Sequence, residues 1–272
     1  MKKLTILIIM VLVLMPFKLN AQTTNDISIN KLFIDFDSII FNKQTESYDK
    51  CIDNALIILK TAPKSLESYY VMSMLDNIIQ TDKTIEKIEK IKEKYYSDIS
   101  NIETDTVEKL ILLVFLANGI GAQSYDEKIN NQKITIEWLN KVKVTCSNKD
   151  FAALATVLLF FDKENGYNNT IYFKENFPKH PFIPLVCLDI IAEHSIKGEY
   201  DQAIKEIEEL TEKYKDIITP YRCKLKFEYY ALISINYMLL GDINNAKKYV
   251  ELIEKEEPNF HSLKSLKNKI SK

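Results

Sequence analysis

Apolar residues recur every three or four positions along most of the chain beyond residue 25, and the pattern is clearest in residues 229–259. In the first half of that segment, the residues sharing one helical face are Tyr230, Ile233, Tyr237 and Leu240. In the second half they are Ala246, Val250 and Ile253. Gly241 and Asp242 separate the halves, and Pro258 closes the segment. The pattern predicts two helices joined by a tight turn.

The same spacing predicts helices along the rest of the chain, over residues 26–41, 45–63, 65–79, 83–99, 104–117, 133–144, 150–161 and 261–270. Residues 104–117 are the most apolar of these, which is typical of a central helix in a packed array. Residues 119–128 form the longest predicted irregular connection, and Trp138 lies in the helix after it. With only 5 glycines in 272 residues, an all-β chain rich in tight turns is disfavoured. We therefore predict an all-α fold.

Three glycines lie between predicted helices at intervals of 32 and 43 residues: Gly166, Gly198 and Gly241. Glycine favours the end of a helix because it enters the left-handed region at little cost. The two intervals bracket a repeat of ~34 residues. The longer interval predicts extra chain near residues 215–220.

Residues 229–259 resemble the tetratricopeptide repeat (TPR), a family of helix-turn-helix repeats. The family positions W-x2-L-G-x2-Y hold Tyr230, Ile233, Ser234 and Tyr237, and its A-x3-F…P positions hold Ala246, Val250 and Pro258. Ser234 stands where the family has glycine, which questions how closely the helices approach there. The resemblance is clearest over residues 164–259. Within that range, the junction at residues 176–181 resembles TPR segments of exported bacterial envelope proteins. It implies a TPR-like α-solenoid of about six antiparallel pairs with a C-terminal capping helix.

The N-terminus has the pattern of a signal peptide over residues 1–21. Lys2 and Lys3 precede a short apolar run, and Ala21 offers a small residue at the cleavage position. A membrane anchor is the alternative, but a dozen apolar residues span only ~18 Å of a ~30 Å hydrocarbon core. We expect export to the periplasm or outside the cell, with residues 22–272 as the mature chain and no membrane span in it.

The charge is mixed and mildly acidic. Loss of Lys2, Lys3 and Lys18 with the leader takes the formal charge from −2 to −5. Binding to nucleic acid would call for a basic face, so we expect no nucleic-acid partner.

The candidate chemistry is sparse, and we expect no catalytic residue, cofactor or metal, and no enzyme activity. The three histidines do not form an HExxH or zinc-finger spacing. Cys187 and His194 share a helical face, but two turns separate their backbones by ~10 Å. Residues 162–166 resemble a calcium loop only briefly, because the glycine and the closing ligand are out of place.

Four cysteines in an exported chain could form disulfides. Their positions on predicted apolar faces favour buried, reduced thiols instead. Cys146 and Cys223 are the pair to test first.

In TPR proteins the first helices of the pairs line a concave groove, and the resemblance implies groove positions in two repeats. They are Leu185, Leu188, Ala192, Ser195, Ile196, Glu228, Ala231, Ile235, Met238 and Leu239. The family's carboxylate-clamping residues are missing there, so the implied function is a scaffold that binds an apolar or amphipathic segment of another protein or peptide. One alternative is that neighbouring repeats or the C-terminal helix fill the groove. Another is an envelope protein that captures carbohydrate or another ligand with Trp138 and the 119–128 loop.

Overall fold

The computed structural model describes residues 28–44, 47–75, 85–86, 89–90, 107–117, 122, 124–161 and 165–271. Within these ranges the fold is all-α, with twelve α-helices packed in sequential pairs. The prediction of an all-α fold is confirmed. The predicted signal peptide and most of the predicted helix over residues 83–99 lie outside the described residues.

The described helices fall into two compact units, residues 25–183 and residues 184–272. The helices of the first unit are α1 (Ile29–Phe41), α2 (Tyr48–Thr61), α3 (Leu66–Met74), α4 (Val107–Ala117), α5 (Tyr125–Thr145), α6 (Lys149–Leu158) and α7 (Gly166–Asn176). Those of the second unit are α8 (Ile183–Lys197), α9 (Tyr200–Tyr214), α10 (Leu225–Leu240), α11 (Ile243–Glu256) and α12 (Leu263–Ile270). Helix α8 begins at Ile183, the last residue of the first unit.

Helices of the first unit pack mainly against the helices next to them in sequence, with α1 on α2, α4 on α5, and α5 on α6. Phe33 and Phe36 of α1 and Phe115 of α4 are fully buried, as expected for side chains at helical spacing on an apolar face. Ser65 caps α3 by accepting a hydrogen bond from the backbone of Ser68 at 3.3 Å. Apart from α5, which begins at Tyr125 although the pattern predicted a start at residue 133, the predicted helices match the described ends to within a few residues.

The predicted irregular connection over residues 119–128 is wrong at its C-terminal end. Helix α5 begins at Tyr125, because the side chain of Ser124 accepts a hydrogen bond from the backbone N–H of Glu127 at 3.1 Å. Ser124 and Glu127 have the spacing of a capping box, a helix-start signal that outweighed the polar composition of the segment. Residues 125–128 therefore belong to a helix of 21 residues.

The three glycines serve two different purposes. Gly198 and Gly241 follow helix ends with φ of +85° and +83°, which confirms the predicted left-handed turns. Gly166 is instead the first residue of α7, and a Cβ there would lie 2.2 Å from the carbonyl oxygen of Phe160. Glycine is required at this position by a close backbone approach, so the prediction of a helix C-terminal turn there is wrong.

The second unit is built around α10, which packs against α9, α11 and α12. Ser234 of α10 is fully buried and donates a hydrogen bond to the backbone oxygen of Ala246 on α11 at 3.0 Å. A small hydroxyl therefore fits where the resemblance implied glycine, and it gains a partner across the contact. Asp242 caps α11 by accepting from the backbone of Asn245 at 3.0 Å.

All four cysteines are buried, and the part of the chain that the structure describes contains no disulfide. The prediction that the cysteines are mostly buried is confirmed. Cys146 and Cys223, the pair singled out for testing, both carry thiols.

Candidate functional site

Helices α8 and α10, the first members of two successive pairs, lie side by side and run in the same direction. Near their N-terminal ends, the hydroxyl of Tyr229 donates to the backbone oxygen of Pro184 at 3.3 Å. Toward their C-terminal ends, the hydroxyl of Ser195 donates to the side-chain oxygen of Asn236 at 2.7 Å. Because the two contacts occur in the same order along both helices, α8 and α10 are parallel neighbours.

The second helices of the pairs are also neighbours. The chain turns back at Gly198, so α9 runs against α8. The hydroxyl of Tyr249 on α11 donates to a carboxylate oxygen of Glu208 on α9 at 2.6 Å. The two pairs therefore contact each other through their first helices and through their second helices, and α9 also packs against α10.

The ten predicted groove positions divide into a buried set and an accessible set. The buried residues are Leu185, Leu188, Ser195, Glu228, Ala231 and Ile235. The partly exposed or exposed residues are Ala192, Ile196, Met238 and Leu239. The accessible set therefore lies toward the C-terminal ends of α8 and α10.

Burial of two positions in the middle of α10 has an identifiable cause. Ala231 and Ile235 belong to the core of this unit, together with Phe260, Leu263 and Leu266 of the C-terminal segment. The C-terminal segment thus covers the middle of α10. This arrangement corresponds to the alternative that the C-terminal helix fills part of the groove. Leu239, by contrast, leaves 40% of its surface accessible.

His194 connects α8 to α9. Its Nδ1 lies 2.6 Å from a carboxylate oxygen of Glu199, and its Nε2 lies 3.6 Å from one of Glu206. Cys187, on the same helix, is buried. The imidazole therefore bridges the two helices of one pair through acidic side chains.

Trp138 does not offer an open face to a ligand. Only 4% of the residue is exposed, its ring lies edge-on to Phe151 at 6.3 Å between centroids, and the ammonium of Lys109 is 5.1 Å from its centroid. Its indole nitrogen is buried without a hydrogen-bond partner. Trp138 therefore presents little surface to a ligand, because it lies on the apolar face of α5 that packs into the core.

A cluster of three potential metal ligands lies in the second unit: Cys223, Glu228 and His261. One ligand atom from each side chain lies within 4.8 Å of the others. The Glu228 Oε1 and His261 Nε2 atoms are 3.6 Å apart, and the exposed fractions of these side chains are 5% and 4%. We refer to these three residues as the Cys–Glu–His cluster.

Three separate elements bring the cluster together. Cys223 follows a tight turn in which the backbone N–H of Thr219 donates to the Cys223 carbonyl at 2.9 Å, closed by an isolated bridge between Ile218 and Lys224. This turn occupies the extra chain that the longer glycine interval predicted. Glu228 lies in the first turn of α10. His261 lies just before α12, with its ring 4.9 Å from that of Tyr221.

Burial sets the protonation of the cluster. It raises the pKa of Glu228 to about 8, because a carboxylate loses its hydration in an apolar site. Burial is the main cause that raises the pKa of Cys223 to about 12; the nearby Glu228 contributes to this rise, and the hydrogen bond with Thr219 opposes it. Near neutral pH both groups are therefore in their protonated, neutral forms.

Sequence reasoning missed the cluster because its members are 5 and 33 residues apart, a spacing that matches no compact metal motif. One signal was available. Glu228 is an acidic residue within the apolar run of α10. An acidic side chain is rarely buried unless it is paired with another group.

Among the residues that the structure describes, no helix combines the length and hydrophobicity needed to cross a bilayer. Comparison of the chain with protein-family models, curated proteins and solved structures found no match.

Proposed function

We propose that this chain is an exported, non-enzymatic binding module, a TPR-like helical repeat that holds an apolar or amphipathic segment of another protein. The observation that carries the proposal is the parallel pairing of α8 and α10 through Ser195 and Asn236 at 2.7 Å. Adjacent, parallel first helices form the continuous face that helical repeats use to bind partners.

The binding face is proposed to lie at the C-terminal ends of α8 and α10. Its side chains, here called the end face, are the exposed Leu239 and the partly exposed Ala192, Ile196 and Met238, of which Met238 also packs against the core. All four are apolar, and a solvated helix surface ordinarily carries charge at such positions. An amphipathic helix that lays its apolar side on this face would remove that surface from water.

The end face replaces the longer groove that the resemblance implied. Ile235 lies in the core, so a charged substitution at this position would destabilise the unit and could not be used to test binding. Leu239 is exposed at 40%, so its replacement changes the surface and leaves the core intact.

Export follows from the N-terminal pattern of Lys2, Lys3 and the short apolar run up to Met15. The partner is accordingly expected in the periplasm or outside the cell. N-terminal sequencing of the exported protein should begin near Gln22, whereas an intact Met1 form in the soluble cytoplasm would contradict export.

Affinity capture with a matched pair of variants tests the binding proposal. Leu239→Glu places a carboxylate on the end face, and Leu252→Glu places one on α11 at a leucine of nearly the same exposure, 38% against 40%. We expect Leu239→Glu to lose a partner that the wild type and Leu252→Glu both retain, because an unpaired carboxylate is costly to bury at an interface. Equal retention by both variants would overturn the end face as the binding site.

A further inference from the structure

The Cys–Glu–His cluster is chemically distinct from the rest of the second unit. It combines a thiol, a carboxyl and an imidazole in a region that contains the apolar side chains of Phe227 and Phe260 and the hydroxyl of Thr219, 3.2 Å from the Cys223 sulfur. These three groups are the side chains that bind Zn²⁺ in proteins. They are contributed by a turn, a helix and an interhelical segment, so the fold is what brings them together.

Glu228 provides a second, independent sign that the cluster has a ligand. It is almost fully buried, and its Oε1 has no hydrogen-bond partner. A buried carboxyl oxygen without a hydrogen bond is costly, so such atoms in native proteins are normally hydrogen-bonded or bound to a metal. The same oxygen is the one that faces His261 at 3.6 Å.

We propose that Cys223, Glu228 and His261 bind one divalent transition-metal ion of the zinc class, through Sγ, Oε1 and Nε2. In a tetrahedral zinc site, bonds of ~2.0–2.3 Å place neighbouring ligand atoms ~3.5 Å apart. The Glu228–His261 separation of 3.6 Å already matches that edge. The remaining separations, up to 4.8 Å, close with a side-chain movement of roughly an ångström.

The donor set selects the type of metal. A thiolate and an imidazole favour zinc and similar transition metals, whereas Ca²⁺ and Mg²⁺ prefer oxygen ligands. The ion takes the place of the thiol proton of Cys223 and of the Glu228 proton, and both protons pass to solvent. Three protein ligands leave a fourth position for water.

A bound ion would tie three parts of the unit to one point. It would join the 215–224 connection, the start of α10 and the segment that leads into α12. Because metal binding is linked to folding, the ion would stabilise the docking of the C-terminal segment over Ala231 and Ile235. This role is separate from the binding proposed for the end face.

Cobalt titration of the purified full chain, after treatment with a chelator, tests the site directly. Co²⁺ replaces Zn²⁺ in such sites, and a cysteine ligand gives a thiolate-to-metal charge-transfer band in addition to the visible bands of tetrahedral cobalt. Cys223→Ser removes the thiolate, and Glu228→Gln removes the carboxylate with almost no change in shape. Cys187→Ser is the matched control, because Cys187 is another buried cysteine of the second unit outside the cluster.

We expect the wild type and Cys187→Ser to bind about one ion per chain, with the charge-transfer band, and to melt at a higher temperature with Zn²⁺. Cys223→Ser should lose the band. Glu228→Gln should bind at least ~10-fold more weakly, since even outer-shell partners of a metal are worth ~10–100-fold. Absence of the band in the wild type, or its persistence in Cys223→Ser, would overturn the site. Glu228→Gln keeps the test decisive if the serine variant fails to fold, because unchanged affinity in that variant would also overturn it.

Discussion

Ser195 donates its hydroxyl hydrogen to the side-chain oxygen of Asn236 at 2.7 Å, across two helices whose contacting residues are 41 positions apart in sequence. Both residues are buried, and Asn236 also donates to the backbone oxygen of Leu232 at 2.9 Å. The asparagine is thus held by its own helix while it accepts from α8. A buried polar bond of this kind fixes how two helices are aligned, because only one alignment satisfies both groups.

Ser195→Ala is predicted to destabilise the chain by about 1–3 kcal/mol, because it leaves the buried oxygen of Asn236 without this donor. Asn236→Ala should cost a similar amount. Urea unfolding of both variants and of the double variant measures the coupling between the two residues. If the free-energy changes of the two single variants sum to that of the double variant, the two residues are not coupled and the bond does not align the helices.

A change at Gly241 is predicted to destabilise the turn between α10 and α11. A Cβ there would contact nothing within 4 Å, so the cost comes only from its φ of +83°. Gly241→Val should lower the free energy of unfolding by about 1–2 kcal/mol, because a β-branched residue resists the left-handed region. Gly241→Asn should cost less, since asparagine visits that region more readily. Equal thermal melting of the wild type and the valine variant would contradict this assignment.

The contact between Ser234 and Ala246 is predicted to be intolerant of added volume. Both residues are fully buried, and the hydroxyl of Ser234 bonds to the Ala246 carbonyl at 3.0 Å. Ala246→Leu should therefore cost about 1–3 kcal/mol through overpacking. Lys247→Leu, at the next and exposed position of the same helix, should leave the midpoint of chemical unfolding nearly unchanged. If both variants unfold at the same midpoint, the close approach is absent.

Much of the fold followed from helical periodicity, and the failures have a common physical origin. Periodicity located α1, α10 and α11, and the glycine spacing predicted the extra chain that became the turn at Cys223. It identified Ile235 as part of an apolar face but did not reveal that Phe260 and Leu263 cover that face. A helical pattern determines which side of a helix is apolar, and contacts distant in sequence determine what packs there.

The Cys–Glu–His cluster was missed for the same reason. Its third member, His261, is 33 residues beyond Glu228, and only the return of the chain after α11 brings them to 3.6 Å. Trp138 shows the opposite case. Aromatic composition suggested a binding role, whereas its position on the apolar face of α5 buried it against Phe151.

His180 is predicted to make the first unit less stable in acid. It packs against Phe182 at 4.3 Å and Phe173 at 5.5 Å between ring centroids. Burial lowers its pKa from 6.5 to about 4, with Asp150 opposing the shift and Lys64 adding to it. The unfolded chain therefore takes up this proton at a higher pH than the folded chain. Its contribution to stability should be complete above pH 6.5 and should be lost as the pH falls to about 4.

His180→Asn provides the control for that prediction. The backbone N–H of Phe182 donates to Nδ1 of His180 at 3.3 Å, and an asparagine oxygen can accept the same bond without titrating. Urea midpoints measured between pH 4 and pH 7 should fall more steeply for the wild type than for the variant. Parallel curves would mean that His180 is not buried in its neutral form.

Site-specific photo-crosslinking in living cells tests the proposed binding face most directly. A benzoylphenylalanine introduced at Leu239 reports on the end face, and one introduced at Leu252 reports on a leucine of α11 with similar exposure, 38% against 40%. We predict that illumination links a protein partner to position 239 and not to position 252. Crosslinking at position 252 alone, or equal crosslinking at both positions, would contradict binding at the C-terminal ends of α8 and α10.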